Sequence, residues 1–235
     1  MRLDRFLSER LPESREEIKK NIRAGKVTVD GQAVRDPGVK INGTESVQYR
    51  GEVVDAEAHE YWLLYKTAGY VTARTDEEHL TVMELVPSKR KGLSPVGRLD
   101  KDTEGVLLIT DDGELNHRLV SPKYHVDKKY YAECDRAFPE NAKEILERPI
   151  EFKDYTAEGG VFEQITENSC YLTIAEGKFH QVKRMIAKCG TEVTYLRRES
   201  FGPLTLINMQ PGECRKLEKE EIEALKESAG LISEE

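Results

Sequence analysis

The sequence predicts two mixed helix-and-strand parts: a small module over residues 1–50 and a larger α+β or α/β domain over 60–230, joined by a linker at 51–59 and ending in a tail at 231–235. Three observations carry this expectation. Apolar residues near the start recur at helical spacing, then give way to short alternating segments punctuated by turn signals. Residues 51–59 have little periodicity of either kind. From Tyr61 onward, strand-like and helical segments are interleaved.

The elements follow in order. Leu3, Phe6, Leu7 and Leu11 give residues 2–10 one apolar helical face, and Pro12 ends it. Ser14 and Glu17 form a capping box, so a second helix starts there, with Ile18 and Ile22 as its buried stripe. Gly25 is placed to end it, because positive φ costs glycine least. Residues 26–29 alternate like a strand, Asp30-Gly31 is a hairpin turn, and Asp36-Pro37-Gly38 turns again before a last strand at 46–50. In the larger domain strands are expected at 61–66, 105–110, 129–134, 170–175 and 192–197, and helices at 81–86, 114–120, 139–147, 179–189 and 219–228.

Composition excludes several classes. The apolar run 106–109, like every other in the chain, is far short of the ~18 residues of a membrane span. The start, Met1-Arg2-Leu3-Asp4-Arg5, is charged at once and lacks an apolar signal core, so a cytoplasmic, membrane-free protein is expected. Four scattered cysteines with no CxxC pair read as reduced structural thiols, and the five histidines make no metal-ligand spacing with them. The 36 Lys/Arg and 44 Asp/Glu leave a net charge of −8, but the charge is unevenly spread. Residues 1–50 carry a net +3 and residues 178–198 a net +5, offset by −4 over 213–235. Local positive density, more than the total, governs phosphate binding.

The densest cluster of unusual residues runs from Gly97-Arg98-Leu99-Asp100 through Asp102, Thr103, Glu104 and Gly105 to the apolar run 106–109 and Thr110-Asp111-Asp112-Gly113. A calcium loop is one reading, but its twelfth position holds Asp111 where a bidentate Glu belongs, and the flanks are not helical. A solvated acidic turn is a second reading. A catalytic carboxylate is the third.

Gly97-Arg98-Leu99-Asp100 with Thr103, Gly105 and Thr110–Gly113 resembles the signature of bacterial rRNA pseudouridine synthases of the RsuA type. So do Glu176-Gly177-Lys178-Phe179-His180-Gln181-Val182-Lys183-Arg184-Met185, the block from Ser121 to Tyr130, and Phe201-Gly202-Pro203-Leu204 running on to Arg215. The N-terminal module resembles the S4 (α-L) RNA-binding domain through Arg2-Leu3-Asp4, the run Gly25 to Gly31, and Val34. Four positions depart from the pattern: in Tyr65-Lys66-Thr67, where the family has Asn-Lys-Pro, only Lys66 is kept, Asp111 stands where Asn is commoner, and Val106 where Leu is.

The resemblance implies an α+β catalytic domain with a mixed, largely antiparallel sheet and helices packed on it. It implies isomerisation of one uridine to pseudouridine, in 16S rRNA of a small-subunit assembly intermediate and of the uridine 516 type, by a monomeric enzyme. A sibling acting on 23S rRNA and a non-catalytic rRNA-binding protein of the same fold are the competing readings. Asp100 carries over as the catalytic residue, Tyr130 as the ring that stacks on the flipped base, and Lys183 as the cation facing Asp100, with Arg184 the alternative. Arg98, Arg184, Lys128, Lys129, Arg2, Arg5, Arg15, Lys19 and Lys26 are the expected RNA contacts, with His180 and Gln181 placed to fix a helix start.

The residue types suit that chemistry. The reaction breaks one C–N bond and forms one C–C bond within the same nucleotide, without redox change, so no cofactor or metal is expected. A carboxylate serves either as nucleophile at C1′ or as base toward C2′–H. It must be ionised away from water, which requires a facing cation.

Overall fold

The computed structural model describes residues 1–54, 59–88 and 90–231. Much of the expected linker (55–58) and of the tail (232–235) lies outside the described residues. The chain divides into two compact units, Met1–Glu60 with Ser88–Leu93, and Tyr61–Pro87 with Ser94–Glu235. Among the described residues no helix is long and apolar enough to cross a membrane.

The first unit opens with α1 (Leu3–Arg10) and α2 (Arg15–Arg23), followed by β1 (Val27–Val29), β2 (Gln32–Ala33), β3 (Val47–Tyr49) and β4 (Glu52–Val53). The Ser14/Glu17 capping box is formed at the start of α2, and Gly25 follows its end with φ 76°. Asp30 and Gly31 both take positive φ, which matches the right-handed twist of the strands they join. The strand order is β2-β1-β3-β4. Glu52–Val53 reads as linker in the sequence because both residues are exposed; its backbone pairing with β3 leaves no periodic signal. Leu3, Phe6, Leu7, Ile18, Ile22, Val27 and Val47 form one buried cluster, as their spacing requires.

The second unit contains β5 (Tyr61–Lys66), β6 (Ser94–Pro95), β7 (Glu104–Thr110), α3 (Gly113–Val120), β8 (Lys128–Cys134), α4 (Ala142–Leu146), β9 (Ile150–Glu151), β10 (Thr156–Ala157), β11 (Val161–Gln164), β12 (Ser169–Ile174), α5 (Gln181–Ala187), β13 (Val193–Phe201), β14 (Leu204–Thr205), β15 (Cys214–Lys216) and α6 (Lys219–Ser228). It is an α+β unit. Its main sheet runs β11-β12-β8-β13-β7-β5-β15, with β14 on β13 and β6 on β7. The β13–β7 pair is parallel, and the other pairs described in this sheet are antiparallel.

That parallel pair positions the site. β7 and β13 meet at only two registers, Glu104↔Arg197 and Gly105↔Arg198. A Cβ at Gly105 would lie 2.2 Å from the Arg198 carbonyl oxygen, and the residue has φ 113°, so only glycine fits. Beyond this contact the Arg198 side chain takes over the ladder, its Nε donating to the Val106 carbonyl at 2.8 Å. A buried cluster of Leu63, Val106, Leu108, Leu115, Leu119, Phe201 and Leu225 fills the interior beside it.

Three expected helices are shorter or different. Residues 81–86 make a single 3-10 turn, Val82–Leu85, held by Thr81 and Glu84. The 139–147 helix shrinks to Ala142–Leu146, and the 179–189 helix starts only at Gln181 because His180 adopts a left-handed conformation, φ 50°.

Candidate active site

Asp100 stands on the loop between β6 and β7. Val96 N–H donates to the Leu108 carbonyl at 2.8 Å, which ties the start of the loop to β7. The Thr72 hydroxyl donates to the Leu99 carbonyl at 2.7 Å and accepts from the Leu99 amide at 3.2 Å. Thr103 N–H closes the turn on the Asp100 carbonyl at 3.1 Å. Beneath the loop lies Lys66, the last residue of β5, with no exposed surface. Its Nζ donates to the carbonyls of Thr103 at 2.7 Å, Thr67 at 3.0 Å and Lys101 at 3.3 Å. Burial pushes this ammonium down to about 8, against the opposing charges of Asp102, Glu104 and Asp100.

The Asp100 carboxylate is gripped from α5 and the residue before it. Lys183 Nζ lies 3.2 Å from Oδ2 and His180 Nε2 lies 3.3 Å from Oδ1. Lys183 also donates to Asp102 at 2.6 Å. Burial works against the Lys183 ammonium, but its hydrogen bonds to Asp102 and Asp100 outweigh that and hold its pKa above the ordinary lysine value. The same hydrogen bond holds Asp102 below the usual carboxylate range. Asp102 is a partner the sequence reading did not assign. His180 departs from expectation too: its side chain makes no cap hydrogen bond, and its ring turns to Asp100. Gln181 does fix the turn, accepting from the Lys178 amide and donating to Glu176, each at 2.9 Å.

Arg184 points elsewhere. Its guanidinium meets Asp154 at 2.5 and 3.0 Å and lies over Phe152 and Tyr155. Lys183 therefore faces Asp100 and Arg184 does not. Lys183→Met should slow single-turnover chemistry by ~10²-fold, the range for losing a preorganised charge beside reacting groups. Arg184→Met should leave that step near the wild-type rate. Equal losses in the two variants would contradict the assignment.

Strand alternation sorts the residues of β8. Lys128, Tyr130, Ala132 and Cys134 are buried, while Lys129, Tyr131 and Glu133 face the other side. Tyr130 lines the same cleft as Asp100 and Lys183, together with Leu196, Phe201 and Arg198. Lys128, expected as an RNA contact, is instead buried in the wall of this cleft. Its Nζ donates to the carbonyls of Val126 at 2.5 Å and Ala175 at 3.1 Å, and burial, aided by the Arg198 charge, pushes it down to about 8. Its parity with Tyr130 could have signalled this. Lys129 lies on the far side, 4.1 Å over the Tyr171 ring and 3.6 Å from Glu163. Arg198, which the sequence reading also passed over, is almost wholly buried and keeps its Nη2 without a hydrogen-bond partner.

Arg98 is exposed at the mouth of the cleft. In the first unit Arg2 and Arg15 converge on the buried Asp4, at 3.0 and 3.1 Å, and Asp4 is held below the usual carboxylate range chiefly by Arg2. Arg5 and Lys19 are paired on their own helices with Glu9 and Glu16, each at 2.7 Å, and Lys26 is exposed.

The RNA pseudouridylate synthase family matches residues 60–188, and the S4 domain matches residues 1–47. This chain belongs to the RNA pseudouridylate synthase family. The synthase is 40% identical over 230 residues to the ribosomal small subunit pseudouridine synthase A of Escherichia coli K12, covering 94% of this chain and 98% of that one. It is equally similar, 40% over 233 residues and 96% of both chains, to an uncharacterized RNA pseudouridine synthase of Aquifex aeolicus. A crystal structure of a pseudouridylate synthase superposes with a TM-score of 0.67 at 32% identity, covering 96% of this chain and 99% of the other. The departure from the family at Thr67 leaves the anchoring of this synthase intact, since the Thr67 carbonyl is one of the three acceptors of Lys66.

Proposed function

We propose that this synthase converts one uridine of small-subunit rRNA to pseudouridine with Asp100 as its catalytic residue. The observation that carries the reading is the placement of Asp100 in a cleft between Lys183 and His180, with the Tyr130 ring in the same wall. A uridine turned out of the RNA stack would enter this cleft, with Tyr130 beside the base. Asp100 then acts at the sugar, by adding to C1′ or by removing the C2′ proton, and the N1–C1′ bond breaks. The base turns and C5 bonds to C1′; on the first route the bond from Asp100 to C1′ breaks in that step, and on the second Asp100 returns the proton to C2′. The C5 proton then leaves, and N1 ends protonated. The product has the atoms and electrons of the substrate, so Asp100 is regenerated. Lys183 keeps the carboxylate paired while water is excluded.

The small-subunit target is supported by the 40% identity to a relative named for that substrate, and within it we favour the uridine 516 type of site on 16S rRNA, met in an assembly intermediate by a monomeric enzyme. Residues 1–47 would hold RNA shape and phosphate, with Arg2, Arg5, Arg15, Lys19 and Lys26 as contacts. Pseudouridine mapping in rRNA from cells lacking the gene tests the reading. One small-subunit pseudouridine should vanish and return with the wild-type gene. A loss confined to large-subunit rRNA would overturn the target.

Tyr130→Phe separates stacking from proton transfer. The ring remains, so RNA binding should stay close to wild type. If the hydroxyl handles the C5 proton, single turnover should slow by ~10²-fold. An unchanged rate would reduce Tyr130 to a stacking surface.

A further inference from the structure

Phe179 carries no polar atom, yet 71% of its surface is exposed. Its ring lies flat on His180, with centroids 3.8 Å apart and planes 18° from parallel. His180 is held in a left-handed backbone conformation, φ 50°, which costs a non-glycine residue ~1 kcal/mol and must be held by its surroundings. The edge of the His180 ring carrying Nε2 lies 3.3 Å from the Asp100 carboxylate. The two rings and Asp100 thus form a continuous series, ending outward in the open face of Phe179.

The neighbourhood selects the occupant. Lys178 and Arg98, both exposed, flank the cleft beside this pair. A single flat apolar face among cations suits a nucleobase attached to phosphates: the ring supplies stacking and the cations meet the backbone. The face does not belong to the target base, because Phe179 lies outside the lining of the cleft that holds Asp100 and Tyr130. A uridine swung into that cleft deprives the adjacent base of its stacking partner, and Phe179 presents a replacement.

We propose that Phe179 and His180 form a stacking platform for a base next to the target uridine, an inference that rests on the synthase reading above. Phe179 contacts RNA. His180, held between Phe179 and Asp100, backs the Phe179 ring and fixes where its open face stands.

The test uses the full-length protein and a small-subunit rRNA fragment that carries the candidate uridine, with 2-aminopurine placed immediately 5′ or 3′ of that uridine. Wild-type protein should quench the fluorescence at one of these positions. Phe179→Ala should lose the quench and weaken RNA binding about tenfold or more. Its single-turnover rate at saturating RNA should fall much less, and Phe179→Tyr should restore both binding and quench. Folding is not at risk, since the side chain is exposed. Asp100→Asn should still quench, because the platform does not need the chemistry. Conversion without quenching at either position overturns the platform and leaves the synthase reading intact. Quenching without conversion supports the platform and counts against that reading. A Phe179→Ala protein that binds and quenches like wild type also overturns the platform.

Discussion

Asp100→Asn yields a folded protein that binds RNA and makes no pseudouridine. The substitution keeps the shape of the side chain and removes only its charge and its basicity. The fold tolerates this, because the Asp100 side chain is partly exposed and the loop is held by Thr72, Thr103 and Lys66. Nor does the change strand a charge: Lys183 keeps Asp102 at 2.6 Å. An amide neither adds to C1′ nor takes a proton from C2′, so the rate should fall by ~10⁴-fold or more. RNA affinity should change little, since phosphate and stacking contacts lie elsewhere. Single-turnover assays with binding tracked in parallel check both halves. Turnover above background would remove Asp100 from the chemistry. Loss of binding along with activity would show that the carboxylate organises the site.

How far the sequence alone reaches can be seen residue by residue. The strand 61–66 is legible because six consecutive residues are apolar or aromatic except for its final lysine, and all six are buried. Strands β11 and β15 are not legible. They lie at the two ends of the sheet order, and Val161, Glu163 and Gln164 are exposed, while β15 is Cys-Arg-Lys. Polar residues protect such outer strands from pairing with other chains, which also erases the alternation a reader needs. At the site, the pairing of Asp100 with Lys183 follows from the family blocks together with the apolar stripe of α5. Asp102 was hidden because its role depends on where a residue 81 positions away lands. Lys128 reads as a surface contact because basic residues beside an RNA-binding module invite that reading, whereas the strand period places it with Tyr130 inside.

Lys66 shows what such a buried cation does. Three carbonyls from Thr67, Lys101 and Thr103 converge on its ammonium, and two of them belong to the loop that carries Asp100. Lys66→Met keeps the length of the chain and removes the donor. Met carries no desolvation cost, which favours the variant. Against that, three carbonyls lose a charged donor, and each such loss costs about 1–3 kcal/mol where water cannot replace it. The second effect wins, and we expect a net destabilisation of about 2–4 kcal/mol, read as a lower denaturant midpoint with an unchanged slope. Asp100 would also lose its footing: a displacement of ~1 Å in a reacting group costs ~10²-fold in rate. The pH dependence identifies the cause. Because burial lowers the Lys66 pKa to about 8, below the ordinary value of ~10.4, the unfolded chain binds more protons than the folded one between these values. The contribution of Lys66 to stability is therefore smallest below pH 8 and grows as the pH rises toward ~10.4. The stability gap between wild type and Lys66→Met should widen over the same interval. A constant gap would mean that the Lys66 ammonium keeps its ordinary affinity for protons, and a narrowing one that the three carbonyls raise it. A variant as stable and as fast as wild type would show that the Asp100 loop is held without it.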